Sequence, residues 1–291
     1  MNWLRKPVVL FLLIINLSSQ SLFCQDIDEI VRFSDQLFAK GKYELAANEY
    51  NRALFFGSKE PDKICLKIAN CYFKQNKFDQ CIQFYDRTYF SSNSDSIKTE
   101  AILGKSFALI LEKNYVLAIS EMMNIDSAKN NYHDVKLNFL RGIAYFGLHE
   151  DKLSETFFNK CLFQLSFKND SVIKRDFYAI KKTEKRFNPH TAYFLSLVLP
   201  GTGQFYSGSI KEGLNSAILL DGLLLAAVFL AREYSTVTSF VTILPWFQRY
   251  YLGGANKAER LTLEKQLAKR NDIYQNILQT FEQVYSVKQI K

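Results

Sequence analysis

The stretch Ile210 to Ala231, IKEGLNSAILLDGLLLAAVFLA, is about as long as an α-helix must be to cross a bilayer core of ~30 Å. A second apolar stretch, Tyr234 to Tyr251, follows after only Arg232 and Glu233. Inside lipid every backbone amide must be bonded within its own segment, so two such stretches this close together predict a transmembrane helical hairpin. The spans are expected at 210–231 and 234–251. Any reading of function has to begin from a membrane anchor near the C-terminus.

The other end of the chain has the layout of a secretory signal. Met1 to Lys6 contains Arg5 and Lys6, Val8 to Leu17 is apolar except for Asn16, and Ser18 to Ser21 are small and polar. Ten residues make a helix of only ~15 Å, too short to cross comfortably. Residues 1–24 are therefore expected to be a signal peptide, cleaved after Ser21 or Cys24. Phe23 stands where a lipidation signal wants a small residue, which argues against a lipid on Cys24. Export would place the following domain in the periplasm.

From Asp26 to about Phe167 the chain repeats itself. Phe38-Ala-Lys-Gly41-Lys-Tyr43-Glu-Leu-Ala46 followed by Tyr50 is matched by Phe73-Lys-Gln-Asn76-Lys-Phe78-Asp-Gln-Cys81 followed by Tyr85. Looser copies carry Lys113, Ala118 and Met122, then His149, Ser154 and Phe158. The equivalent positions Gly41, Asn76, Lys113 and His149 recur about every 36 residues. Each copy reads as two helices joined by a turn at that position, where a left-handed residue ends the first helix. Ala46, Cys81, Ala118 and Ser154 stand where the two helices approach most closely, so only a small side chain fits. Tyr50, Tyr85, Met122 and Phe158 are expected to fill the space between repeats. This spacing and pattern resemble the tetratricopeptide repeat, about four copies over residues 26–167. The resemblance implies a curved helical solenoid whose concave face holds a peptide or helix of a partner protein. Asn70, Lys74, Lys105 and Asn138 lie on the first helices of the pairs and are the candidate face residues.

The segment before the first span has its own signature: Pro200, Gly201, Gly203, Gln204, Tyr206 and Gly208. It resembles the Pro-Gly-x-Gly-Gln-x-Tyr entry motif of small two-span membrane domains in Bacteroidetes-like envelope proteins. That resemblance covers residues 190–256 and implies little about activity. On the residues alone, Pro200 ends an apolar helix and the glycines permit a sharp turn. Gln204 is suited to bonding exposed carbonyls, and Phe205 and Tyr206 to interface depth. A phosphate-binding loop is excluded by the missing Lys and Ser/Thr that such loops require. The Pro-Gly break also makes Thr191 to Gly208 an interfacial or re-entrant segment rather than a third span.

Ser209, Gly213, Ala217 and Asp221 recur every four residues, a small-residue stripe that admits a partner helix. Asp221 is the ionisable group well inside the apolar run and is expected to face protein or a water pocket. No basic residue is evident at a matching depth, which favours a structural carboxyl over an ion path. Before the motif, the basic segment 168–189 with Lys181, Lys182, Lys185 and Arg186 reads as either a capping helix of the solenoid or a helix on the membrane surface. Four such charges near anionic lipid are worth ~1 kcal/mol each. Residues 257–291 form an expected amphipathic helical tail, with Leu267, Tyr274, Ile277, Phe281 and Val284 near heptad spacing.

The fold class is all-α: a tetratricopeptide-like solenoid followed by a transmembrane hairpin. The net charge of +8 is diffuse and does not argue for nucleic acid. Cys65, Cys71, Cys81 and Cys161 form no CxxC pair and read as buried thiols. His133, His149 and His190 are too scattered for a metal site, no nucleophile motif occurs, and no cofactor or enzymatic activity is expected. The leading expectation is a scaffold of the bacterial inner membrane. Its repeats bind a protein in the periplasm, its hairpin contacts lipid, and its spans or tail permit a homo-oligomer. The alternative from another class is a subunit of a small oligomeric channel or transporter, with the hairpin as the active part.

Overall fold

The computed structural model describes residues 26–125, 131–165 and 171–289. The expected signal peptide and Cys24 lie outside them. Among the described residues the chain is all-helical, and it divides into two compact units that meet in sequence at Gln164 and Leu165.

The first unit is a row of helix pairs: α1 (Ile27–Ala39) with α2 (Tyr43–Phe55), α3 (Pro61–Lys74) with α4 (Phe78–Ser91), α5 (Asp95–Leu111) with α6 (Tyr115–Met123), and α7 (Asn131–Gly147) with α8 (Asp151–Gln164). Starts are set by local chemistry: the Asp26 carboxylate accepts from the Asp28 amide at 3.0 Å, and Pro61 opens α3, where its missing N–H costs nothing. Each helix packs on the one before and the one after it, and α5 also packs on α3 and α7. The apolar core is continuous for that reason. One cluster joins Ala46 and Tyr50 to Ile64 and Ile68, a second joins Cys81 and Tyr85 to Ala101 and Ala108, and a third joins Leu103 and Met122 to Leu137 and Leu140. Fully burying side chains such as Tyr50, Met122 and Phe158 contributes ~1.5–3 kcal/mol each.

The four positions that set the repeat phase share one backbone conformation. Gly41, Asn76, Lys113 and His149 have φ of 74°, 57°, 62° and 63°, and the last three are the non-glycine residues with positive φ among those described. Each ends the first helix of its pair in the left-handed region, and the amide after it bonds back into that helix, as Lys42 N does to Leu37 O at 2.9 Å. Ala46, Cys81, Ala118 and Ser154 are fully buried. Twelve residues before each of them on the facing helix stands another small buried residue: Ser34, Ala69, Ser106 and Gly142. In the last pair the Ser154 hydroxyl donates to the Gly142 carbonyl at 2.8 Å. Cys65, Cys71, Cys81 and Cys161 are free and buried, and burial pushes the thiols of Cys71, Cys81 and Cys161 up to about 12. They are fillers, not nucleophiles.

The second unit contains α9 (Ser171–Arg186), α10 (Pro189–Val198), α11 (Thr202–Ser207), α12 (Ile210–Glu233) and α13 (Thr236–Gln289). The segment read as a cap or surface helix is α9, which packs along α13. Its buried Ile173, Phe177 and Ile180, with Ile277 and Phe281 of α13, account for the heptad-like spacing in the tail. α12 and α13 pack antiparallel: Glu212 pairs with Lys257 at one end, and the Ser239 hydroxyl donates to the Ala227 carbonyl at 2.7 Å toward the other.

Two expectations are revised here. α12 is the one helix among the described residues that is long and apolar enough to cross a membrane. The segment 234–251 is not a separate helix of that kind but the opening of the 54-residue α13, and Pro245, Gln248, Arg249 and several threonines dilute its apolar character. The tail is not a separate helix either, because α13 runs through Gly253 and Gly254 without a break. The outside of this pair is apolar. Leu225, Val228 and Phe229 of α12 are 59–72% exposed, as are Val237, Phe240 and Val241 of α13 at 63–70%. Only 6% of the most apolar stretch of α12 is buried.

The left-handed residues give a direct test. A non-glycine residue there costs ~1–2 kcal/mol, partly offset by the greater chain entropy of glycine. Lys113→Gly and His149→Gly should each stabilise the chain by ~0.5–1 kcal/mol, whereas Gly41→Ala should destabilise it by ~1 kcal/mol. Thermal melts of the full chain in detergent, followed by far-ultraviolet circular dichroism, measure all three.

Candidate functional site: the glycine-rich helix junction

Leu199 is extended (φ −139°, ψ 116°), as the residue before a proline prefers, and this ends α10. Gly201 then turns the chain with φ 93° and starts α11; Gly208, with φ 82°, ends α11 and launches α12. Two left-handed glycines thus bracket one short helix and reverse the chain twice. The reversal is tight because side chains are missing where backbones meet. A Cβ on Gly201 would lie 2.5 Å from the Gly213 carbonyl oxygen, and one on Gly213 would lie 2.8 Å from the Phe205 ring and 2.9 Å from the Gly201 carbonyl oxygen. A Cβ on Gly203 would collide with the Ala192 carbonyl of α10. Where α13 crosses α12, a Cβ on Gly254 would stand 2.8 Å from the Ser216 hydroxyl.

Gln204 lies at the centre and is fully buried. Its Oε1 accepts from the Ser196 hydroxyl at 2.9 Å, and its Nε2 donates to the Gly254 carbonyl at 2.8 Å. Ser196 Oγ in turn accepts from the Gly203 amide at 3.0 Å. The Gln204 carbonyl accepts from the Ser209 amide and the Ser207 hydroxyl, both at 2.8 Å. One amide side chain therefore joins α10, α11 and α13, and both of its ends are satisfied. Such a group is stabilising only when complete, because a partner left without its bond in the interior costs ~1–3 kcal/mol.

The remaining motif residues extend the same network. Tyr206 Oη donates to the Arg186 carbonyl at 2.6 Å and accepts from the Asn188 amide at 3.1 Å, which fastens the junction to the end of α9. Thr202 Oγ1 lies within hydrogen-bond reach of the carbonyls of Leu195, at 2.6 Å, and Leu199, at 2.7 Å, at the end of α10 before Pro200. Tyr251 donates to the Leu197 carbonyl, and Lys265 Nζ donates to the Ser207 carbonyl at 2.6 Å. The amides of Thr202 and Gly203 bond to Leu199 O and Ser196 Oγ, so these donors are spent inside the chain and not presented to an anion.

The small-residue stripe behaves differently along its length. Gly213 is buried and Ala217 half-buried beside the junction, whereas Asp221 is exposed on α12. It does not face the interior of this chain as expected, because the contact with α13 runs through Ser216, Leu220 and Ala227, and Asp221 is turned ~100° from Leu220.

In the repeat unit, three of the four candidate face residues are engaged within the chain. Asn70 Oδ1 accepts from the Tyr85 hydroxyl at 2.7 Å, and Asn138 Nδ2 donates to Gln164 Oε1 at 3.0 Å. Lys105 Nζ lies 2.6 Å from Asp86 and 2.9 Å from Glu121, with its side chain 13% exposed. Burial works against that ammonium, but the two carboxylates outweigh it and hold its pKa above the ordinary value. Lys74 is exposed at the end of α3. A cavity of about 370 Å³ opens between Tyr89, Lys98, Asp95 and His133, where Ser96 Oγ lies 3.4 Å from His133 Nε2. Sequence spacing did not point to it, because its walls come from three different helices and the end of α6.

Compared with known proteins, the chain matches no family model and no curated protein. What it does must therefore be read from its own geometry.

Two substitutions test the junction. Gln204→Leu removes both side-chain bonds, which tie α11 to α10 and α13, and leaves the buried Ser196 hydroxyl without its acceptor, an expected loss of ~2–4 kcal/mol. Gly203→Ala forces α11 away from α10 and should lower the melting temperature at least as far. In detergent, both variants should melt well below the parent chain, while Gly222→Ala, in open space on α12, should not.

Proposed function

We propose that this protein is a non-enzymatic, membrane-anchored scaffold. Helix-pair repeats over residues 26–164, of the tetratricopeptide type, hold a partner protein, and the C-terminal unit tethers the assembly to a bacterial inner membrane through a two-helix hairpin. The observation that carries this reading is the contrast in burial. The repeat cores close over their apolar residues, while α12 and the opening of α13 turn Leu, Val and Phe side chains outward along a length of ~30 Å or more. In water such a surface is an association hazard; in hydrocarbon it is the expected exterior.

The junction at Pro200 to Gly208 supports the tether half. At a membrane face, where helix ends meet little water, the last carbonyls of α10 gain side-chain partners: Thr202 Oγ1 lies beside those of Leu195 and Leu199, and Tyr251 donates to that of Leu197. Gln204 spans from α11 to α13 and fixes the angle at which the two long helices leave the junction. The binding half rests on the stack of helix pairs and on the cavity beside Tyr89 and His133, where a side chain of a partner segment could enter. With the leader removed, the repeats would stand in the periplasm.

Alkaline carbonate washing of membranes tests the tether. The full chain should stay in the pellet, and replacing Leu225 and Val228 with Lys should shift most of it to the supernatant, since each buried Lys costs ~2.5–3.5 kcal/mol of insertion. Release of the unaltered chain would end the tether reading. For the binding half, cross-linking from native membranes should capture a partner that is lost when Lys98 and His133 are replaced and kept when Asp221 becomes Asn.

A further inference from the structure

The antiparallel register of α12 and α13 brings two opposite charges to one depth. Five residues along each helix from the Ser216–Gly254 contact lie Asp221 and Arg249. Counted instead from the Ala227–Ser239 bond, the level of Asp221 falls at Pro245. Arg249 therefore sits within about one turn, ~6 Å, of the depth of Asp221, a gap its side chain can bridge. Hydropathy taken one segment at a time hides this match, because the two residues are 28 apart in sequence. Asp221 lies ~16 Å from the Ile210 end of α12 and ~18 Å from the Glu233 end.

Both residues are exposed, and among the described residues neither has an ion-pair partner. Around them the surface is apolar, with Ile218 and Leu225 exposed one turn either side of Asp221 and Trp246 and Tyr250 beside Arg249. Gly222, next to Asp221, has open space where its Cβ would be, so another helix can come close there. If α12 lies in lipid, an unpaired carboxylate and an unpaired guanidinium at this depth are each costly, and intramembrane charges pair with one another or face protein. Every copy of one chain inserts with the same orientation. Equal depth within a copy is then equal depth between copies.

We propose that the chain self-associates in the bilayer through an ion pair between Asp221 of one copy and Arg249 of another. This rests on the membrane reading above and adds to it the second copy as the occupant of the charged face. The guanidinium and carboxylate suit a two-pronged hydrogen-bonded contact, which fixes register as well as affinity. The repeats would consequently be displayed in more than one copy.

Charge exchange on the full chain in lipid nanodiscs or mild detergent tests the pair, with self-association measured by cross-linking and sedimentation. Asp221→Arg alone and Arg249→Asp alone should each weaken association at least tenfold, since each places like charges at the contact. Mixing the two variants restores opposite charges at every contact between unlike chains and should bring association back to within about threefold of the parent. Should either variant fail to insert, Asp221→Asn and Arg249→Gln, which add no charge, should show the same loss with carbonate resistance intact. A monomeric parent chain, unaltered association in the single variants, or a mixture no better than its components would overturn the proposal while leaving the tether in place. Release of the parent chain by carbonate would overturn both.

Discussion

Where the Ser154 hydroxyl of α8 meets the Gly142 carbonyl of α7 at 2.8 Å, and where Gly203 of α11 presses on Ala192 of α10, the separation of two helices is set by the size of the residue between them. Both units rely on this constraint. In the repeats it is met by a small residue on each helix of a pair, and larger side chains such as Tyr50, Tyr85 and Phe158 then fill the volume toward the next pair. In the C-terminal unit glycine meets it, because there backbone touches backbone and even a methyl group has no room. Enlarging any of these residues does not merely add volume; it moves a helix, and the helices packed on it must follow.

The two units resolve the same packing problem with opposite exteriors. Polar side chains of the repeat unit are largely committed to one another: Asp35 to Tyr50 and Lys67, Lys105 to Asp86 and Glu121, Asn70 to Tyr85. These bonds run between helices of one pair or of adjacent pairs, so they tie each helix to its neighbours. In the C-terminal unit, polar bonding is concentrated at the junction and along the lower part of α13. The long helices beyond it present apolar side chains outward.

Much of this could be read along the chain. The turn positions were legible because glycine at Gly41 and asparagine at Asn76 are both tolerant of the left-handed region; Lys113 and His149 are not, and only the repeat spacing identified them. The helix-to-helix mates Ser34, Ala69, Ser106 and Gly142 escaped notice, since a small residue within an apolar helix carries no signal until its partner is known. Gln204 was recognised as a carbonyl ligand, but not the carbonyl it serves, which is 50 residues away. Asn70, Lys105 and Asn138 looked like free surface because their partners come from other helices. The continuity of α13 was missed for a related reason: Gly253-Gly254 and the change from apolar to charged sequence suggest a break, yet Gly254 is there to admit Ser216 and the intrahelical bonds carry on through it.

That continuity has a mechanical meaning. An unbroken helix of 54 residues is ~80 Å of stiff rod, gripped near Gly254 by the junction and near Ile277 and Phe281 by α9. Rods do not absorb motion locally. A lean of the end beyond Pro245 about the grip at Gly254 would therefore be passed along the rod to the contact with α9, where Gln266 and Arg270 bond to Glu184.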